Sequence, residues 1–187
     1  MNALSTRITF TDEQSMLLDT AVSFCRQKSP PSAVRSQLST EHGFDPALWA
    51  EMVALGWTGI AVPERFGGSG LSLAEAATIS EPMGRHLFAT PFTSTQLFTQ
   101  GILAGADERQ QTTWLPAICQ GTIGTVALFE QDGDWDLSHL GAGATREADM
   151  VSLRGAKTLV CDAAVAGFVL VSVALDGAPA LLVLSAD

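Results

Sequence analysis

Gly56-Trp57-Thr58-Gly59-Ile60-Ala61-Val62-Pro63-Glu64-Arg65-Phe66-Gly67-Gly68-Ser69-Gly70-Leu71 is the stretch on which the reading of this chain turns. Pro63 fixes a non-helical φ, and Gly67, Gly68 and Gly70 permit sharp reversals, so the peptide can join two helices without regular structure of its own. A glycine-rich run can also cradle phosphate, but no Lys follows this one, and it lacks the GxSxG frame of a hydrolase elbow. The local reading is a tight architectural connection.

Helical periodicity lies on both sides. Upstream, Asp45-Pro46 opens a helix with a stripe of Leu48, Trp49, Met52, Val53 and Leu55, and Gly56 stops it. Farther back, Thr11 caps a helix with Asp12 and Glu13 in its first turn and an expected apolar face of Met16, Leu17, Val22 and Phe24. Between them, Lys28 to Gly43 contains Pro30-Pro31 and reads as a surface excursion with room for one short helix. Downstream, Ser72 and Glu75 form a capping box for a helix that runs through Ile79 and Met83 to Gly84, with Pro82 in its last turn. Two further helices follow, over Thr93–Leu103 and Asp107–Cys119.

After Gly121 the texture changes. Short apolar runs at Thr125–Phe129, Met150–Leu153, Thr158–Cys161, Phe168–Ala174 and Ala180–Leu184 are separated by Gly, Asp and Pro, the pattern of antiparallel strands in a sandwich or barrel. The expected fold class is therefore α+β and multi-domain. An all-helical part over residues 1–120 precedes an incomplete β-domain over residues 121–187. A β-domain ending directly after a strand carries an unpaired edge, and the expectation is that the sequence belongs to a longer architecture.

Composition narrows the class. With 187 residues, 47% hydrophobic and 16% charged, the chain buries a full core and is not disordered. Twenty acidic against ten basic residues give a net charge of −10, which repels nucleic acid and anionic membrane surfaces. The longest apolar stretch, Ala163 to Leu175, is interrupted by Gly167 and Ser172 and is too short to span a bilayer. The first seven residues hold no apolar secretory core. Cys25, Cys119 and Cys161 are odd in number and lack CxxC spacing, so they read as reduced thiols of a cytoplasmic protein.

Metal chemistry finds no support. His42, His86 and His139 have no ligand spacing. Asp132-Gly133-Asp134-Trp135-Asp136 opens like a calcium loop, but Leu137 and Gly143 stand where that loop needs Gly and Glu, so it reads as an ordinary acidic loop.

The opening stretch resembles the "GW.G..VPE.(F/Y)GG.G" signature in the N-terminal helical domain of acyl-CoA dehydrogenases. Phe10-Thr11-Asp12-Glu13-Gln14 resembles that family's first helix, and Phe44-Asp45-Pro46-Ala47-Leu48-Trp49 its second. Ala104-Gly105-Ala106-Asp107-Glu108 with Trp114-Leu115-Pro116 resembles the end of the helical domain, and Arg154-Gly155-Ala156-Lys157 the "NGxK" turn of the middle β-domain. The resemblance covers nearly the whole chain.

The resemblance implies FAD as cofactor and an acyl-CoA thioester as substrate. A carboxylate takes the α-proton, hydride passes to the flavin, and a 2-enoyl-CoA results. It also implies an electron-transfer acceptor and a homo- or hetero-oligomer of acyl-CoA dehydrogenase subunits. A C-terminal helical bundle normally carries the catalytic glutamate; no Glu of this sequence takes that role, Glu130 matching a structural position. The expectation is that the chain alone dehydrogenates nothing and supplies no catalytic residue.

The same resemblance locates candidate sites. The flavin-facing "TEPGAGSD" is replaced by Phe129 to Asp136, so Leu128 and Phe129 offer backbone amides. Phe129 stands for a hydroxyl-bearing Thr, and Trp135 for a Ser near the pyrophosphate. Asp132 and Asp134 add negative charge there. Farther on, Leu159 and Cys161 replace an aromatic wall and a hydroxyl donor. Phe92, Thr93 and Gln96 are expected to approach the acyl chain, their mixture of aromatic and small polar residues suiting a roomy pocket. Two functions stay open: an FAD-dependent acyl-CoA dehydrogenase of which this is a portion, and a non-catalytic partner subunit of a heteromeric one with degraded FAD contacts.

Overall fold

The computed structural model describes residues 9–148 and 150–186. The N-terminal stretch read above for a secretory core lies outside them. Six α-helices come first: α1 (Asp12–Lys28), α2 (Pro31–Gln37), α3 (Pro46–Ala54), α4 (Leu73–Arg85), α5 (Phe92–Gly105) and α6 (Glu108–Cys119). Five strands follow: β1 (Gly124–Ala127), β2 (Gly143–Glu147), β3 (Met150–Arg154), β4 (Phe168–Leu175) and β5 (Ala178–Ser185).

Helix starts are set by local chemistry. Thr11, Ser72 and Asp107 each accept a hydrogen bond from the third helical position while Gln14, Glu75 and Gln110 reach back to the cap amide. Asp45 caps α3 ahead of Pro46. The buried side of α1 is Ala21 and Cys25, with Leu17 and Phe24 packed partly against the core. Met16 and Val22, expected on that face, are exposed: α1 packs along α4, and the small Ala21 and Ala76 are buried. Leu55, at the end of α3, is likewise exposed.

The motif between α3 and α4 folds back on itself. The amides of Ser69, Gly70 and Leu71 donate to the carbonyls of Gly59, Val62 and Ile60 at 2.9–3.0 Å. Its apolar residues then enter two cores. Trp57 and Ile60 join Met52, Ile79 and Phe92 among the helices, whereas Val62 and Phe66 join Phe98, Ile102, Leu115, Ile118 and Leu170.

That second core joins helices to sheet. Phe98 of α5 stacks on Phe168 of β4 with centroids 5.7 Å apart, and Thr95 Oγ1 accepts the Gly124 amide at 3.3 Å. Trp49 Nε1 donates to the Gly121 carbonyl at 2.8 Å, fixing the junction.

The sheet is mixed and not closed. β4 pairs antiparallel with β5 on one side, and in parallel with β1 and then β2 on the other; β3 pairs antiparallel with β2. The expected purely antiparallel pattern is corrected by those two parallel pairings, because the long excursion between Ala127 and Phe168 brings β4 back in the direction of β1. Thr158–Cys161, expected as a strand, is a turn that keeps one bridge, Phe129 to Thr158. β2 was not anticipated, since Gly143-Ala144-Thr145-Arg146-Glu147 offers no apolar alternation.

Candidate functional site

β1 ends at Ala127, and the chain leaves it as Leu128-Phe129-Glu130. A buried polar cluster holds this exit. Lys157 pairs with the Glu130 carboxylate, and both side chains are at most a tenth exposed. The same ammonium donates to Ser172 Oγ at 2.9 Å, and that hydroxyl lies 3.4 Å from the Leu128 carbonyl. The Lys157 hydrogen bond, aided by the amides of Ala142 and Gly141, holds the Glu130 carboxyl below the usual carboxylate range. Sequence reading saw Ser172 only as a break in an apolar run; a lone hydroxyl in a buried strand was the signal for this cluster.

The Phe129 carbonyl accepts the Thr158 amide at 3.0 Å, which brings the turn at 159–162 beside it. Leu159 and Asp162 both adopt left-handed φ, near 51° and 55°, a conformation other residues than glycine rarely hold without support. Support is present. Thr125 Oγ1 donates to the Cys161 carbonyl at 2.6 Å, and Ser94 Oγ donates to Asp162 Oδ2 at 2.5 Å. Leu159 and Cys161 point outward, Leu159 being 70% exposed.

Trp135 stacks on Phe129 with ring planes 12° apart. Leu128, Phe129 and Trp135 thus lie past the end of β1, with Leu159 and Cys161 on the turn alongside the strand. The helix-borne candidates divide. Phe92 is wholly buried in the helical core, Gln96 is buried with Nε2 donating to the Thr58 carbonyl at 3.0 Å, and Thr93 is exposed. Among the described residues Gln96 Oε1 has no hydrogen-bond partner. Ser94, next to Thr93, bonds Asp162, next to Cys161, so the two candidate sets meet at one seam.

Beside the loop lies an open cleft of about 580 Å³, lined by Glu130, Asp132, Asp134, His139, Gly155 and Ala156. Its donor set does not fit the pyrophosphate of FAD: carboxylates line it, and no Lys or Arg occurs between 129 and 145. Among the described residues no group of three or more His, Cys, Asp or Glu is arranged to hold a metal ion. No described helix is long and apolar enough to cross a membrane.

Residues 11–122 match the family profile "Acyl-CoA dehydrogenase, N-terminal domain". The acyl-CoA dehydrogenase IpdE2 of Mycobacterium tuberculosis is 33% identical over 119 residues, which are 63% of this chain and 37% of that protein. Among solved structures, the Tcur3481-Tcur3483 steroid ACAD variant superposes with a TM-score of 0.86 at 29% identity, over 94% of this chain and 48% of that one. The ChsE4-ChsE5 complex from Mycobacterium tuberculosis has the same fold, with a TM-score of 0.83 at 24% identity over 95% of this chain and 48% of that one. The chain spans about two fifths of the length of the curated relatives it matches, 37% and 40% for the two IpdE2 proteins.

Proposed function

The chain belongs to the acyl-CoA dehydrogenase family through its N-terminal domain, and on that premise we propose that it serves a heteromeric acyl-CoA dehydrogenase as a partner subunit that holds no flavin of its own. The assembly removes two hydrogens across Cα–Cβ of an acyl-CoA thioester to give a 2-enoyl-CoA, with flavin and catalytic base held by another subunit. In this reading residues 1–120 and 121–187 are the helical domain and part of the middle β-domain, working in the cytoplasm and passing electrons to a separate acceptor.

One observation carries the reading: the loop after β1 lines its cleft with the carboxylates of Glu130, Asp132 and Asp134. A dianionic pyrophosphate is repelled there, and Phe129 brings no hydroxyl where a ring nitrogen needs a donor. The Tcur3481-Tcur3483 steroid ACAD variant, 29% identical, carries two subunit names together, which supports partnership as the mode of action.

This chain's own residues then position an acyl-facing wall. The Ser94–Asp162 hydrogen bond fixes the start of α5 against the turn at 159–162, and the Thr125–Cys161 bond fixes that turn against β1. Thr93 lies exposed beside that seam, so Thr93→Trp is expected to slow the assembled enzyme on its bulkiest acyl-CoA substrates and to spare short ones. Equal kinetics across substrate size would remove Thr93 from the acyl wall.

A second reading keeps FAD on this chain as a portion of an ordinary dehydrogenase. It draws on the Phe129–Thr158 bridge, which leaves the exit of β1 extended where the family offers backbone to the flavin. Incubating the purified chain with FAD, followed by gel filtration and an absorbance spectrum, separates the two. The partner reading expects no retained flavin, whereas one flavin per chain would establish the second reading instead.

A further inference from the structure

Trp135 is 69% exposed, yet its ring lies on Phe129 with centroids 5.5 Å apart. The indole thus lies largely in solvent while stacked on Phe129, and the hydrogen bonds of its loop hold the backbone that carries it. The Gly133 amide donates to the Glu130 carbonyl at 2.9 Å, and the Glu130 amide to the Asp134 carbonyl at 2.7 Å. Three aspartates in alternation each accept the amide two residues on: Asp132 from Asp134 at 3.1 Å, Asp134 from Asp136 at 2.9 Å, and Asp136 from Ser138 at 2.9 Å. Such turns restrict the backbone locally. At its base, the loop is fixed by the buried Glu130–Lys157 pair. Two of these carboxylates, Asp132 and Asp134, also line the cleft beside the loop.

The phenyl face of Phe129, just past the end of a strand, is a platform for a flat ring, and the indole of Trp135 already lies on it, while Asp132 and Asp134 of the same loop line a cleft of about 580 Å³. We infer that Trp135 is a built-in occupant of that platform: residues 131–139 form a lid that excludes a planar heteroaromatic ring of the flavin type from Phe129, while its aspartates repel the phosphates of a nucleotide. The inference rests on the partner reading and supplies its mechanism, a flavin place closed by the chain itself and not merely lacking contacts. Two barriers act on different parts of one ligand. The indole competes with the ring, and the carboxylates act on the charged tail.

Riboflavin and FAD separate these barriers, because both carry the ring and only FAD carries the pyrophosphate. Flavin fluorescence is titrated with the full 187-residue chain as wild type, Trp135→Ala, Trp135→Phe, and Trp135→Ala combined with Asp132→Asn and Asp134→Asn. Asparagine keeps the turn-capping oxygen and removes the charge. Trp135→Ala is expected to gain about tenfold in riboflavin affinity, the scale of one aromatic pair, and Trp135→Phe to stay near wild type. FAD is expected to gain fully only in the triple variant. Since Trp135 is exposed, its removal opens no core, and far-UV circular dichroism checks that each variant is folded. If the wild type binds no FAD and Trp135→Ala gains no riboflavin affinity, the lid is overturned while the partner reading stands. Tight FAD binding by the wild type that weakens in Trp135→Ala overturns both, making Trp135 a ligand contact.

Discussion

A Cβ at Gly68 would lie 2.1 Å from the Val62 carbonyl oxygen and 2.6 Å from that of Gly59, so backbone meets backbone and nothing flexible can yield. Gly68→Ala is expected to cost about 3 kcal/mol, at the upper end for overpacking, measured by urea unfolding. This constraint was legible in the sequence, because a glycine cluster after proline is rare and its demands are local. The Glu130–Lys157 pair was not legible: 27 residues separate its members, and only the fold brings them together. Lys157→Met leaves a buried carboxylate without its cationic partner and is expected to cost about 3–5 kcal/mol, most of it restored by adding Glu130→Gln. The pH dependence follows from the direction of the shift. Glu130 is held low in the folded state, chiefly by Lys157, so its stabilisation is present at neutral pH and is lost as pH falls through the lowered value. That acid sensitivity is expected to shrink in Lys157→Met, as read from unfolding midpoints across acid pH.

At the scale of the element, Glu75 serves two helices at once. It completes the capping box of α4 and accepts Gln14 Nε2 of α1 at 2.8 Å. Hydrogen bonds from the Ser72 side chain first, then from Gln14 and the Ser72 amide, lower its pKa to about 2. Its contribution is therefore complete above the ordinary value of 4.5 and fades as pH approaches 2. Glu75→Gln is expected to be less stable than wild type near neutrality and to converge with it near pH 2, as thermal melts at several pH values would show. Helix starts of this kind were legible because the cap and its partner are three residues apart. Faces were read less well. The helix α1 carries apolar side chains on more than one side, and close approach to α4 selected Ala21 and Cys25 over Met16 and Val22. The turn at 159–162 was read as a strand because its apolar composition does not disclose the left-handed φ of Leu159 and Asp162. The placement of Leu159 and Cys161 alongside β1 depends on the Phe129–Thr158 bridge, a pairing no local pattern announces.

For the whole molecule, helices and sheet share one core through Val62, Phe98, Leu115 and Leu170. The helical signal in the far-UV and the exchange protection of β4 amides are accordingly expected to be lost at the same denaturant concentration; separated transitions would show that the two parts fold independently. The parallel pairing of β1 with β4 has a further consequence during synthesis. Val126 must wait for Leu170 to be made before its ladder can close, and the Phe98 side of α5 must wait for the same strand to be covered. At about 5–20 residues per second, the nascent chain leaves the ribosome with this oily flank bare for several seconds. The helices can form early, but their outer seam is finished last, and a holdase chaperone that recognises apolar helices would meet this protein in that interval.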